Sequence, residues 1–270
     1  ILLMSKIYDC ITFFNENLLV NARFEILSDV VDFFIICESK YDHSGNKKKL
    51  NFNLINKKFQ DKIKYTIIEN NFPQPIKPWT NERIQREKLI ESLKFADKDD
   101  YIMYSDADEI PNPDLLKDIN LKKKYGIFLQ KNFVYKINIF NSYESPWEGT
   151  RICKKKNLKS IFHLRKKILL KNTKKPFWKF YKEKDISIFE NGGWHFNNLY
   201  DIKTLSNKLK VSPHKEYSSE KFSSPEIIKK KIDNLKDLYE RGHTYQKIDL
   251  NSSYPEYILN NKGLFKDFIL

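Results

Sequence analysis

Two aspartates one residue apart, Asp106 and Asp108, with Glu109 directly after them, are the residues of this chain best suited to grip a cation. Hard carboxylate oxygens favour Mg2+ or Mn2+, and such an ion usually bridges to a substrate's phosphates instead of sitting in an all-protein cage. Tyr101, Ile102, Met103 and Tyr104 lead into Ser105 and the acidic cluster, and Pro111 and Pro113 close it. That is the pattern of a buried strand delivering carboxylates at its carboxyl end, where an open α/β sheet holds its ligands. The matching chemistry is a nucleotide-sugar diphosphate site. Spacing alone is a weak signal, because 18 aspartates in 270 residues give about one Asp-x-Asp by chance. A second copy, Asp97 and Asp99, follows a helical segment among charged residues and reads as a solvated turn.

Other chemistry-bearing residues carry two readings each. Glu38 ends the apolar run 30–37, VVDFFIIC, and is either a polar group offered to a nucleoside or a local cap. Arg83 and Arg86 lie three apart on a helical segment; either can meet a diphosphate, and the default for Arg83 is an exposed helix charge. Glu148, beside Trp147, is a candidate general base next to a sugar face, or an ordinary loop carboxylate. His195 follows Gly192, Gly193 and Trp194, where two glycines permit a tight backbone approach, so His195 is a candidate extra metal ligand or a structural histidine. His163, His214 and His243 have no such setting and read as structural.

The elements that must position these groups alternate. Residues 6–14, 30–37 and 62–68 read as strands, 18–27 as a helix, and 80–96 as a helix capped by Thr80 or Asn81 that feeds the strand before Asp106. Strands alternating with helices indicate an α/β fold with a mostly parallel sheet. Residues 125–130 and 132–140 add two strand-like runs, 147–150 a turn and 186–189 a further strand. Segment 226–239 is an amphipathic helix with lysines outward, and 254–270 is a second apolar-striped segment. The expected organisation is one domain over 1–270: a donor-binding half at 1–125, an acceptor-side half at 126–220 and a helical C-terminal extension at 221–270.

Composition narrows the partners. The formal charge of +14 points toward anions, yet 43 of the 49 cationic residues are lysines and only 6 are arginines, the residue type that reads base edges. The lysine clusters are scattered, so nucleic acid is not an expected partner, whereas a phosphate-bearing donor or peripheral contact with an anionic membrane surface is. Cys10, Cys37 and Cys153 are far apart and form no C-x-x-C pair, which argues for a reducing compartment and against a disulfide framework or zinc site. Without an 18-residue apolar run or a basic leader, the expectation is a cytoplasmic chain with neither a membrane span nor a signal peptide.

Taken together, the stretches 22–39 (ARFEILSDVVDFFIICES), Ser44-Gly45, 50–52, 99–111 (DDYIMYSDADEIP), 192–196 (GGWHF) and, more weakly, 254–265 (YPEYILNNKGLF) resemble glycosyltransferase family 17. The resemblance implies a GT-A-like nucleotide-sugar-binding fold and inverting, Mn2+- or Mg2+-dependent transfer from a UDP-sugar, with UDP-GlcNAc as the expected donor and a glycan as acceptor. It assigns Asp106 and Asp108 to the metal with His195 as a further metal or diphosphate contact, and Glu38, Arg86, Asp106 and Trp194 to the donor. Glu109 and Glu148 are then the candidates for the catalytic base. The competing classes are a metal-dependent phosphatase or nucleotidyltransferase, which would use the same carboxylates, and a non-catalytic polyanion-binding protein.

Overall fold

In the computed structural model, which describes residues 5–176, 178–179, 181–211 and 217–270, the β-branched and aromatic runs of the first third become strands. Their order is β1 (Ile7–Phe13), α1 (Asn17–Leu27), β2 (Phe33–Ser39), β3 (Ile63–Ile68), α2 (Pro78–Lys88) and β4 (Tyr101–Asp106). β1 pairs in parallel with both β2 and β4, and β2 with β3, so these four strands present their carboxyl ends along one edge. Successive residues serve opposite faces. Ile11, Phe34, Ile36 and Met103 join one core cluster, while Cys10, Ile35, Cys37, Ile102 and Tyr104 join the other. Burial on both faces is why 30–37 is apolar without alternation.

The remaining elements are β5 (Glu109–Pro111), β6 (Tyr125–Val134), β7 (Ile139–Phe140), β8 (Trp147–Lys154), α3 (Ile161–Lys167), α4 (Leu170–Thr173), β9 (Ile186–Phe189), β10 (Gly193–Asn197), α5 (Ile202–Val211), α6 (Glu220–Ser223), α7 (Pro225–Asp233), β11 (Gln246–Lys247) and α8 (Glu256–Asn260). The chain divides into two compact units, one running to Gln130 with Glu148–Gly193 added, the other formed by Lys131–Trp147 and Trp194–Leu270. In the first, the strand order is β3-β2-β1-β4-β8-β6, with β9 parallel to the start of β6. β8 runs antiparallel to β4, placing Arg151 opposite Tyr104, so the sheet is mixed and not purely parallel.

In the second unit the end of β6 pairs in parallel with β10, and β7 pairs antiparallel with β11. Val134, Ile139, Leu205, Leu209, Ile228, Ile232 and Leu238 form its core. The segment 221–270 is helical only in part. α7 stops at Asp233 because Leu235 takes a left-handed backbone (φ 57°) that reverses the chain, and β11, the five-residue α8 and a 3-10 turn at Lys262–Phe268 follow. His214 lies outside the described residues. Among the described residues no helix is long and apolar enough to cross a membrane.

Two further expectations are corrected. α2 begins at Pro78 in the first helical position, without a side-chain cap from Thr80 or Asn81, and gives way to a 3-10 turn at Leu89–Leu93. Residues 147–150 are the start of β8 and not a turn: Gly149 permits close strand approach, since a Cβ there would stand 1.8 Å from Gln130 Oε1.

The two glycines before Trp194 do serve a tight approach. Gly193 has φ +124°, and a Cβ on it would lie 2.2 Å from the Ile110 carbonyl oxygen and 2.7 Å from the Asn112 nitrogen. Backbone cannot yield as a flexible side chain would, so Gly193→Ala is expected to destabilise the protein by about 2 kcal/mol or more. A thermal melt within a degree of the wild type would contradict this.

Candidate active site

The site grows from the carboxyl end of β4. Tyr101 to Ser105 are buried, and Asp106, the last strand residue, emerges with 34% of its side chain exposed. Each of its oxygens meets a cationic group. Oδ1 accepts from Tyr104 Oη at 3.0 Å and Arg86 Nη2 at 3.3 Å, and Oδ2 accepts from Arg165 Nη2 at 2.5 Å. Burial by itself would raise the Asp106 pKa, but the guanidiniums of Arg165 and Arg86 outweigh it and hold the carboxyl well below the usual range. Asp106 is therefore an anion at any physiological pH.

α2 brings Arg86 here through a polar face that is nevertheless buried. Gln85 donates from Nε2 to the carbonyls of Phe13 (3.2 Å) and Cys37 (2.9 Å), near the carboxyl ends of β1 and β2. Asn81 donates to the His43 carbonyl at 2.9 Å, and His43 bonds Gln85 Oε1 at 2.7 Å. Buried amides that satisfy strand-end carbonyls dock the helix as firmly as an apolar stripe would. Arg86 is then aimed by Glu82 one turn earlier (2.7 Å) and by Tyr104 Oη, which accepts from its Nε at 2.8 Å.

Arg165, from α3, is the hub. Besides Asp106 it bonds Glu109 Oε1 at 2.6 Å, Glu109 Oε2 at 3.1 Å and the Gly149 carbonyl at 3.0 Å. Glu109 is fully buried, and its Oε2 also accepts the Asp106 backbone N–H at 3.0 Å, which closes the turn holding Ala107 and Asp108. Beneath lies a second pair: Arg23 grips Asp9 at 2.5 and 2.6 Å, donates to Ser105 Oγ at 2.9 Å and reaches the Glu109 carbonyl, all at or near zero exposure. Ser105 is tied to Thr150 on β8 at 2.7 Å.

Continuing that antiparallel register carries β8 past the end of β4 and puts Glu148 on the same edge as Asp106. The Glu148 side chain is 32% exposed, and its Oε2 accepts from Arg151 Nη2 at 3.2 Å and from the Leu170 N–H at 3.0 Å. Arg151 also donates to the Glu148 and Gly149 carbonyls. Burial and the neighbouring Arg165 charge lower the Arg151 pKa to about 10, so it stays cationic at pH 7.

The structure thus brings Asp106, Glu109, Arg86 and Glu148 into one network. Asp108 sits part-buried in the turn between β4 and β5. Glu38 has no exposure: Oε1 accepts from Lys48 Nζ (2.5 Å) and the Asn51 N–H (2.8 Å), Oε2 from the Phe52 N–H (3.1 Å) and Tyr65 Oη (2.7 Å). Those four bonds use all its lone-pair sites, so Glu38 clamps the loop at 48–52 and has none left for a nucleoside. Among the described residues no group of three or more His, Cys, Asp or Glu is placed to hold a metal. His195 is buried in the second unit with its ring stacked on Trp147 at 4.7 Å, and Trp194 spends its indole N–H on the Ser253 carbonyl at 2.9 Å.

The residues missed from sequence are Arg23, Arg151 and Arg165. The signal was available: only 6 arginines occur among 49 cationic residues, and these three and Arg86 converge here. In a lysine-rich chain an arginine marks a place that needs a planar, bidentate donor.

Asp106 Oδ2 has a single partner among the described residues and the carboxylate is part-exposed, so it would offer one oxygen to an ion of the Mg2+ or Mn2+ type, whose shell water and substrate phosphate would complete.

A permanently ionised carboxylate at a strand's end, ringed by guanidiniums and flanked by a part-exposed glutamate, is the kind of site that handles phosphate-bearing substrates. The chain belongs to glycosyltransferase family 17, whose family model matches residues 3–253. No curated protein matches it. Among solved structures it overlaps glucosyl-3-phosphoglycerate synthase of Mycobacterium tuberculosis, at 12% identity and TM-score 0.38 over 75% of this chain and 76% of that one. The same enzyme in complex with Mn2+ and UDP-glucose gives 12% and 0.37 over 71% of each chain. The inositol-1-phosphate CTP transferase of T. maritima gives 13% and 0.36 over 69% of this chain and 86% of that one. Overlaps this loose bear on neither topology nor substrate.

Proposed function

We propose that the protein is an inverting, metal-dependent glycosyltransferase that moves a sugar, GlcNAc, from a UDP-sugar to a hydroxyl of a glycan. The observation that carries this reading is Asp106, an obligate anion with an open lone pair, held between Arg86 and Arg165. Membership in the family supports it.

In this mechanism Asp106 and Asp108 would hold Mn2+ or Mg2+, which would supply charge neutralisation to a departing diphosphate. Arg86 and Arg165 hold the Asp106 carboxylate and set positive charge beside the same diphosphate, their η N–H groups staying on Asp106, Glu82, Glu109 and the Gly149 carbonyl. The acceptor hydroxyl oxygen attacks the anomeric carbon from the face opposite UDP. One C–O bond forms, the bond to UDP breaks, and the configuration inverts. The hydroxyl's proton goes to Glu148, the carboxylate of the network that combines exposure with a fixed position, whereas the fully buried Glu109 serves to hold Arg165 and the Asp106 turn.

Glu148→Gln keeps the shape and removes the base, so kcat for transfer should fall at least about a hundredfold with little change in the KM for the donor. An unchanged kcat would remove Glu148 from the mechanism. The reading as a whole is tested by measuring UDP release from UDP-GlcNAc, UDP-GalNAc, UDP-Glc and UDP-Gal with Mn2+, with and without glycan acceptors. Release that needs an acceptor marks transfer. Release indifferent to acceptor marks a hydrolase.

A further inference from the structure

Asn132, on β6, is wholly buried, and neither its Nδ2 nor its Oδ1 has a hydrogen-bond partner among the described residues. Its backbone, by contrast, is fully used: the N–H donates to Ser145 Oγ at 2.8 Å and the carbonyl accepts from the Asn141 N–H at 2.8 Å. A buried primary amide with its donors and acceptor idle costs stability that an apolar side chain of similar size would not, so its presence calls for a partner that arrives from outside. The parallel pairing of β10 with β6 sets His195 beside Asn132 across the ladder, on the same face. Trp147, part-exposed, lies with its ring 4.7 Å from that of His195 at an interplanar angle of 27°. All three belong to the second unit.

An uncharged amide that both donates and accepts, next to an aromatic face, complements a sugar ring, whose hydroxyls also do both and whose C–H face packs on aromatic rings. We propose that Asn132, His195 and Trp147 form a pyranose subsite in which vicinal hydroxyls pair with the Asn132 amide and the ring lies against Trp147. The inference deepens the transferase reading and rests on it. The occupant is either the terminal sugar of the acceptor or the hexose of the donor, two sources of one chemistry.

The test uses the intact protein as wild type and as Asn132→Leu, which fills the same space without polar atoms. Saturation-transfer NMR with methyl β-mannopyranoside, methyl β-N-acetylglucosaminide, UDP and UDP-GlcNAc in the presence of Mn2+ reads each source separately, and a thermal melt reads the fold. The expected result is a melting temperature equal to or above the wild type, unchanged UDP affinity, and at least tenfold weaker binding of one pyranose. Loss confined to a methyl glycoside assigns the acceptor sugar. Loss confined to the gain of UDP-GlcNAc over UDP assigns the donor hexose. Pyranose affinities within twofold of the wild type overturn the subsite, including the case in which the melt falls because a buried water had met the amide. Should Asn132→Leu fail to fold, Asn132→Ala is measured against the same tenfold criterion. A wild type that binds neither UDP nor any pyranose sinks the transferase reading itself, whereas UDP binding with no effect of either variant sinks the subsite alone.

Discussion

Asp106→Asn is expected to lower acceptor-dependent UDP release about a thousandfold while the protein remains folded. The substitution is nearly isosteric and keeps one oxygen for Tyr104 and the guanidiniums, but it removes the negative charge on which Arg86 and Arg165 converge. Two effects add. An amide oxygen is a far poorer ligand than a carboxylate for a hard divalent cation, and the guanidiniums of Arg86 and Arg165 lose the anion that fixes their charge at the strand's end. Removing a single preorganised electrostatic contact costs about 10²–10³ in rate in other enzymes, and this change disturbs more than one. The check is steady-state UDP release at saturating donor and Mn2+, with circular dichroism to confirm the fold. Activity within tenfold of the wild type would move the centre of the site elsewhere.

Arg23→Met should act on stability instead of chemistry. Arg23 and Asp9 are 0% and 1% exposed, and the guanidinium also serves Ser105 and the Glu109 carbonyl beneath the catalytic turn. Deleting one member of a buried pair strands the other charge in a low-dielectric interior, a loss of about 3–5 kcal/mol. For a chain of this size that corresponds to a fall of roughly ten degrees in melting temperature. Because the penalty comes from the abandoned Asp9, combining Arg23→Met with Asp9→Leu should recover part of it. A double variant no more stable than the single one would show that the bonds to Ser105 and Glu109, and not the stranded carboxylate, carry the cost.

Part of this arrangement was legible in the sequence because it follows local rules. The apolar runs 30–37 and 101–104 read as buried strands, and the carboxylates after the second were expected at the sheet's carboxyl edge, where Asp106 emerges. The Gly192-Gly193 pair likewise announced a close backbone approach, which the Ile110 carbonyl now explains. What escaped reading depends on side chains far apart in the chain. Arg165 reaches Glu109 across 56 positions, and Arg23 reaches it across 86. No periodicity or spacing encodes such a pairing. Glu38 illustrates the opposite error: its place at a strand end was read correctly, but whether a strand-end carboxylate faces a ligand or a loop depends on what the loop does, and here the loop at 48–52 folds back to use every lone pair. β8 was misread for a related reason, since Gly149 in a strand looks like a turn until the partner strand that presses against it is known.

The central claim is that Asp106 and its arginines form a cation-dependent UDP site, and titration calorimetry of UDP into the intact protein tests it most directly. Binding that requires Mn2+, disappears on adding EDTA and is absent in Asp106→Asn is the predicted result. UDP binding with the same heat and affinity in EDTA, or in the Asp106→Asn protein, would contradict it.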